Sequence, residues 1–207
     1  MLIFQLINDP IQFIGYVIAL LVAITIHEFS HAYTAYLYGD STAKSMGRLT
    51  LNPIAHLDLT GTIFLLLAGF GWGKPVMVNP HNFANPKLDN LTVSLAGPMS
   101  NIFLAIALGL LYRFINLPTI AEQFIFLIIF FNLALMIFNL IPIPPLDGSK
   151  ILALFTSEET YLYLQQLGIP LLFGLIIFSS FVPIIPLLMT KTVTLFFTLI
   201  TGKSIIM

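Results

Sequence analysis

The chain is 207 residues long, 58% hydrophobic and 8% charged, with a mean hydropathy of +0.99, whereas an ordinary soluble domain is roughly one-quarter charged. Eight basic and nine acidic side chains leave a net charge of −1, so there is no basic field to hold nucleic acid and no acidic tail to act as a solvated interaction segment. Cysteine is absent, which excludes disulfides, thiolate metal sites and cysteine nucleophiles and leaves His, Asp and Glu as metal ligands.

At about 20 apolar residues per crossing, the length holds roughly four to six transmembrane or re-entrant helices and no appended soluble domain. The expectation is an all-α polytopic membrane protein, one domain over residues 1–207 with its core in 11–148. The first helix runs from Ile11 to Tyr38, interrupted only by His27, Glu28 and His31, and Gly39, Asp40 and Ser41 end it. Residues 42–90 are rich in Gly, Pro, Asn and charge, and the apolar stretch Thr62 to Phe70 within them is too short to span. Lys74 to Asn79 (KPVMVN) reads as a short extended strand, so a small β-hairpin or re-entrant segment is expected between the first and second spans.

A second span is expected over Leu91–Phe114 and a third over Ala121–Ile141. Ala96, Gly97, Ser100, Ala105, Ala107 and Gly109 read as small residues for close helix packing. Prolines 142, 144 and 145 end the third span, and a new helix starts near Asp147 or Ser149. Two further apolar runs, Ile169–Met189 and Val193–Ile200, contain Pro170, Pro183 and Pro186 as candidate breaks. Lys44, Arg48, Lys74 and Lys87 all fall between the first two spans, which predicts that region 42–90 is cytoplasmic. Threading from there returns the proline-rich segment 142–148 to the side on which the first helix ends.

His27, Glu28 and His31 lie in the run HEFSH. Spacing of i, i+4 stacks both imidazoles on one helix face where they can share a metal ion, and Glu28 can reach a metal-bound water. Three ionisable side chains within five residues of a membrane helix are costly without an ion or a wet cavity to compensate. A catalytic zinc site takes a third protein ligand. Asp147, in NLIPIPPLDG (139–148), is brought to the correct membrane side by the threading, whereas Glu122 falls on the opposite face and Glu158 and Glu159 in a polar patch.

HEFSH in an apolar helix, followed by GRLTLNPIAHLD (47–58), AGPMSN (96–101) and NLIPIPPLDG, resembles the site-2 protease family of intramembrane zinc metalloproteases. The resemblance implies one zinc ion held by His27, His31 and Asp147, Glu28 as the catalytic carboxylate, and cleavage of transmembrane protein substrates within the lipid bilayer. Here the HExxH helix is the first span, and no PDZ or CBS domain of the kind found in many relatives is present. The expected active site lies within the bilayer toward the cytoplasmic face. A substrate helix must be locally extended before attack, and the edge Lys74, Pro75, Val76, Met77, Val78, Asn79 is the candidate to hold it by strand addition, with a plain surface hairpin as the competing reading. Asn139 is the candidate to hydrogen-bond the substrate or a developing oxyanion, with a helix-packing amide as the competing reading. Asn52, Asn79 and Asn101 read as structural, and His56 with Asp58 as stabilising their loop. Two rivals stand beside this reading: a membrane zincin of another family with Glu158 as third ligand, and a zinc-binding transporter or helix-recognition scaffold. Glu28 speaks against the latter, since a transport site needs no general base beside two ligands.

Overall fold

The computed structural model describes residues 8–68 and 71–205. The described residues contain eight α-helices of known bounds: α1 (Pro10–Leu37), α2 (Thr42–Ser45), α3 (Leu59–Ala68), α4 (Pro86–Phe114), α5 (Thr119–Asn139), α6 (Ser149–Phe155), α7 (Glu158–Phe181) and α8 (Ile184–Thr201), with short 3-10 turns at Pro53–His56 and Pro80–Asn82. Five of them (α1, α4, α5, α7, α8) are long and apolar enough to cross a membrane. The protein is therefore an all-α, multi-pass integral membrane protein. α3, with ten residues, extends only about 15 Å, half a bilayer core; positions 69 and 70 of that apolar stretch lie outside the described residues.

Local chemistry sets the helix ends. Asp9 caps α1, its carboxylate accepting from the Gln12 N–H at 3.0 Å, and Pro10 takes the first helical position, where a missing donor costs nothing. The same device starts α4 at Asn85 and Pro86, five residues earlier than the apolar run suggests. The prolines expected to break the C-terminal runs behave differently from one another. Pro170 stays inside α7 and Pro186 falls in the first turn of α8, while the break comes at Val182, held extended before Pro183. The runs 169–189 and 193–200 are accordingly replaced by helices 158–181 and 184–201.

α1, α4 and α5 pack pairwise into a three-helix frame. Ala19, Ala23, Ala32 and Ala35 of α1 are fully buried, which lets neighbouring backbones approach closely, as small residues do in membrane interfaces. α8 adds Val193 and Phe197 to a cluster with Ala105, Ile129, Leu133 and Met136. α7 stands nearly clear of the rest, with 6% of its membrane window buried.

The expected β-hairpin is not formed. Among the described residues the only β pairing is an isolated antiparallel bridge between Leu57 and Gly73. Lys74–Asn79 is an extended segment without a ladder, and side chains take three of its backbone groups: the Val76 N–H donates to Glu28 Oε2 at 2.9 Å, the Asn79 N–H to Asp40 Oδ2 at 2.7 Å, and the Lys74 carbonyl accepts from Arg48. Val78 packs inward on Ala35, Phe83 and Val93.

Candidate metal centre

α1 carries His27 and His31 on its buried face, 4% and 7% exposed. Each ring is oriented by its Nδ1. His27 Nδ1 lies 2.7 Å from Asn101 Oδ1 on α4, and His31 Nδ1 lies 2.7 Å from the Val93 carbonyl on the same helix. The Asn101 amide is itself fixed, since its Nδ2 donates to the Ala23 carbonyl at 3.0 Å and to Asn132 Oδ1 at 2.8 Å. Both partners of the imidazoles are therefore acceptors, so both Nδ1 atoms must be the protonated ones. In the neutral rings, each Nε2 then carries a bare lone pair.

These two Nε2 atoms face each other at 3.0 Å, and Asp147 Oδ2 lies 3.0 Å from His27 Nε2 and 3.4 Å from His31 Nε2. Three acceptor atoms converge with no proton to share, and Asp147 Oδ2 is a buried oxygen without a hydrogen-bond donor. A cation resolves that conflict. Ligand atoms about 2.05 Å from a tetrahedral zinc ion are separated by about 3.3 Å, and the three sides of this triangle fall around that value. The oriented Nδ1–H groups are the partners that ligating histidines use to fix their tautomer. The donor set thus fits zinc, with three protein ligands and one open position.

Other elements make the cluster possible. Gly97 of α4 faces the imidazoles so closely that a Cβ there would lie 2.6 Å from His31 Cε1 and 2.7 Å from His27 Cε1; only the absence of a side chain leaves the rings their place. Asp147 is delivered by the loop following α5, which closes on itself through the Gly148 N–H to the Asn139 carbonyl at 2.7 Å. A side chain at Gly148 would collide with the Leu140 and Ile141 carbonyls.

The structure brings His27, His31 and Asp147 together and holds Glu28, one position along α1, against the Val76 N–H. Glu158 is in the first turn of α7, capped by Ser157, and is not part of this cluster. Asn139 turns its Nδ2 to the Leu135 carbonyl of its own helix at 3.0 Å. His56 donates from Nε2 to the Thr50 carbonyl at 2.8 Å, and Asp58 accepts from the Gly61 N–H at 2.7 Å, so both serve their loop. The sequence reading missed Asn101, Asn132 and Gly97 as site-building residues. The available signals were two amide side chains inside apolar helices, which are costly there, and the i, i+4 spacing that puts Gly97 and Asn101 on one face of α4.

The chain is similar to several known zinc metalloproteases. The model of peptidase family M50 matches residues 115–178, the stretch containing Asp147. "Putative zinc metalloprotease YwhC" of Bacillus subtilis is 48% identical over 171 residues, covering 73% of this chain and 78% of that protein. "Putative zinc metalloprotease Rip2" of Mycolicibacterium smegmatis is 33% identical over 163 residues, 73% of this chain and 62% of its own length. "Zinc metalloprotease MJ0392" of Methanocaldococcus jannaschii is 26% identical over 162 residues, 78% of this chain and 40% of its own. No solved structure matches. The chain belongs to peptidase family M50, the site-2 protease family of membrane-embedded zinc metallopeptidases.

Proposed function

We propose that the chain is an intramembrane endopeptidase that hydrolyses peptide bonds within or near transmembrane segments of membrane-protein substrates, with His27, His31 and Asp147 as zinc ligands and Glu28 as general base. The observation that carries the reading is the convergence of three lone-pair donors at 3.0–3.4 Å on one point, with a second carboxylate, Glu28, next to His27 in sequence on α1. A zinc ion held by His27, His31 and Asp147 would supply a Lewis acid for the scissile carbonyl and a water of near-neutral pKa.

The chain's own residues do the rest. Asn101 and the Val93 carbonyl hold the imidazoles by their Nδ1–H groups, so the ligand geometry exists before substrate arrives. Glu28 accepts a proton from the attacking water as the oxygen–carbon bond forms. It returns that proton to the leaving nitrogen as the carbon–nitrogen bond breaks. The substrate must be extended for attack, because a helix buries its carbonyls in its own hydrogen bonds. Lys74–Asn79 suits the receiving edge. Its Val76 N–H touches Glu28, and the backbone groups of Met77 and Val78 have no intramolecular partner among the described residues, the condition for strand addition. Asn139 stands at the end of α5 on the loop carrying Asp147, with its Oδ1 free to receive a substrate N–H. The ionisable cluster sits about 26 Å along α1 from Pro10, inside a bilayer core about 30 Å thick and toward the face carrying the basic 42–90 region, which the charge rule makes cytoplasmic.

The test is zinc content together with cleavage of a model transmembrane substrate for wild type, Glu28→Gln and Asp147→Ala. Near-stoichiometric zinc with cleavage in wild type, zinc without cleavage in the first variant and weakened zinc in the second are expected. Cleavage that survives Glu28→Gln would overturn the mechanism, and zinc unaffected by Asp147→Ala would move the third ligand elsewhere.

A further inference from the structure

Arg48 lies only 4% exposed, immediately after Gly47, whose φ of +69° reverses the chain behind α2. Removing a guanidinium from water is costly unless its donors are matched, and here the match is sparse. Nη2 donates to the Lys74 carbonyl, while Nε is buried without a partner among the described residues. Burial draws this group below its usual pKa, and the negative charge of Glu28 acts against that. An arginine held this way is a poor stabiliser of the fold. What its hydrogen bond does is fix a backbone carbonyl two residues from Val76, whose N–H rests on Glu28 Oε2.

The far end of the same segment is fixed by another buried charge. Asp40, fully buried, accepts the Asn79 N–H on Oδ2 and the Thr42 N–H and Asn82 Nδ2 on Oδ1. With both ends held, the segment cannot slide. A slip of one residue along an extended chain would turn every side chain to the other face, taking Val78 out of its contact with Ala35, Phe83 and Val93.

We infer that Arg48 is a positioning residue of the peptidase. By holding the Lys74 carbonyl it sets the register of the Lys74–Asn79 edge against Glu28, and so determines which peptide bond of an added substrate strand faces the base. The inference rests on the reading of that segment as the substrate edge. It predicts a signature that mere loss of stability does not produce, a change in the position of the cut.

The experiment uses the full chain in detergent with one model transmembrane substrate, comparing wild type with Arg48→Met, Arg48→Gln and Arg48→Lys. Zinc content, kcat, KM and the mass of each product are read. Arg48→Met and Arg48→Gln are expected to keep zinc, lose about 10- to 100-fold in kcat with a smaller change in KM, and cut at neighbouring bonds as well as the wild-type one. Arg48→Lys retains a donor and a charge and is expected to restore most cleavage to the wild-type bond. Cuts confined to the wild-type bond in Met and Gln variants, at any rate, overturn the inference. Loss of zinc in all three variants does so too, by making Arg48 a purely structural residue. A wild-type chain that cleaves no transmembrane substrate overturns the functional reading itself, a result distinct from both.

Discussion

Replacing Asn101 with alanine removes the acceptor that orients His27 without touching any of the proposed zinc ligands. The side chain is fully buried and makes three hydrogen bonds: from His27 Nδ1 at 2.7 Å, to the Ala23 carbonyl at 3.0 Å and to Asn132 Oδ1 at 2.8 Å. In the variant the His27 Nδ1–H remains in a dry interior with nothing to donate to, a penalty of about 1–3 kcal/mol. The ring can escape that penalty only by turning, which moves Nε2 off the point it shares with His31 and Asp147. At about 1.4 kcal/mol per tenfold, the expected loss of zinc affinity is about 5- to 150-fold, which brackets the roughly 10- to 100-fold typical of partners that orient metal-ligating histidines. The assay is competition with a chelator of known affinity on the purified protein, followed by cleavage at saturating zinc to separate loading from turnover. Asn132→Leu, which removes an acceptor of the Asn101 amide and a donor to the Ile128 carbonyl of its own helix but no partner of His27, should weaken zinc less, and the double variant should lose less than the sum of the two. Zinc affinity unchanged in Asn101→Ala would refute the tautomer reasoning.

Gly97→Ala adds helix propensity of about 1 kcal/mol, yet its Cβ would lie 2.7 Å from His27 Cε1; helix content by circular dichroism should persist while bound zinc disappears, and a zinc-loaded active variant would contradict the packing. Met77→Pro deletes a backbone donor that has no intramolecular partner, so cleavage should fall with zinc content unchanged; undiminished turnover would remove the segment as the substrate edge. Burial raises the Asp40 carboxyl, but hydrogen bonds from Thr42, Asn79 and Asn82 outweigh it and hold the group below its usual value. A carboxylate depressed in the folded state contributes stability above its unfolded pKa of about 3.9 and loses it as pH falls through the folded value. The melting temperature should therefore fall more steeply below about pH 4 in wild type than in Asp40→Asn, which starts lower at pH 7, and parallel curves would refute the assignment.

The parts legible in the sequence are those encoded over short distances. Hydropathy runs give the first three spans, and the i, i+4 histidines with Glu28 between them give half of the site from five consecutive residues. Asp147 required a topological step, from loop charge to membrane side. Asn101 could not be paired with His27 because the two lie 74 positions apart, and the sequence states which helices exist without stating which faces meet. Gly97 was read as a packing residue. It is one, but what it accommodates is a pair of imidazoles rather than a helix backbone. The strand expected at 74–79 failed for a related reason: an extended segment needs donors and acceptors, and here Glu28, Asp40 and Arg48 supply three of them in place of a neighbouring strand. Pro170, Pro183 and Pro186 look alike in sequence, and only the extended backbone at Val182 distinguishes the one that ends a helix.

Bilayers differ in thickness, and membrane helices respond by tilting against one another at modest cost. A metal site whose ligands ride on separate helices would stretch and shrink with its surroundings. Here each proposed ligand is tied to a further element: His27 through Asn101 to Asn132 on α5, His31 to Val93 on α4, and Asp147 through the Gly148–Asn139 bond to the end of α5. Both links to α5 refer His27 and Asp147 to a single rod, so a tilt of that rod carries the two ligands together. The dimensions of the centre are thereby made a property of the polypeptide, and adaptation to lipid thickness is left to helices that hold no ligand.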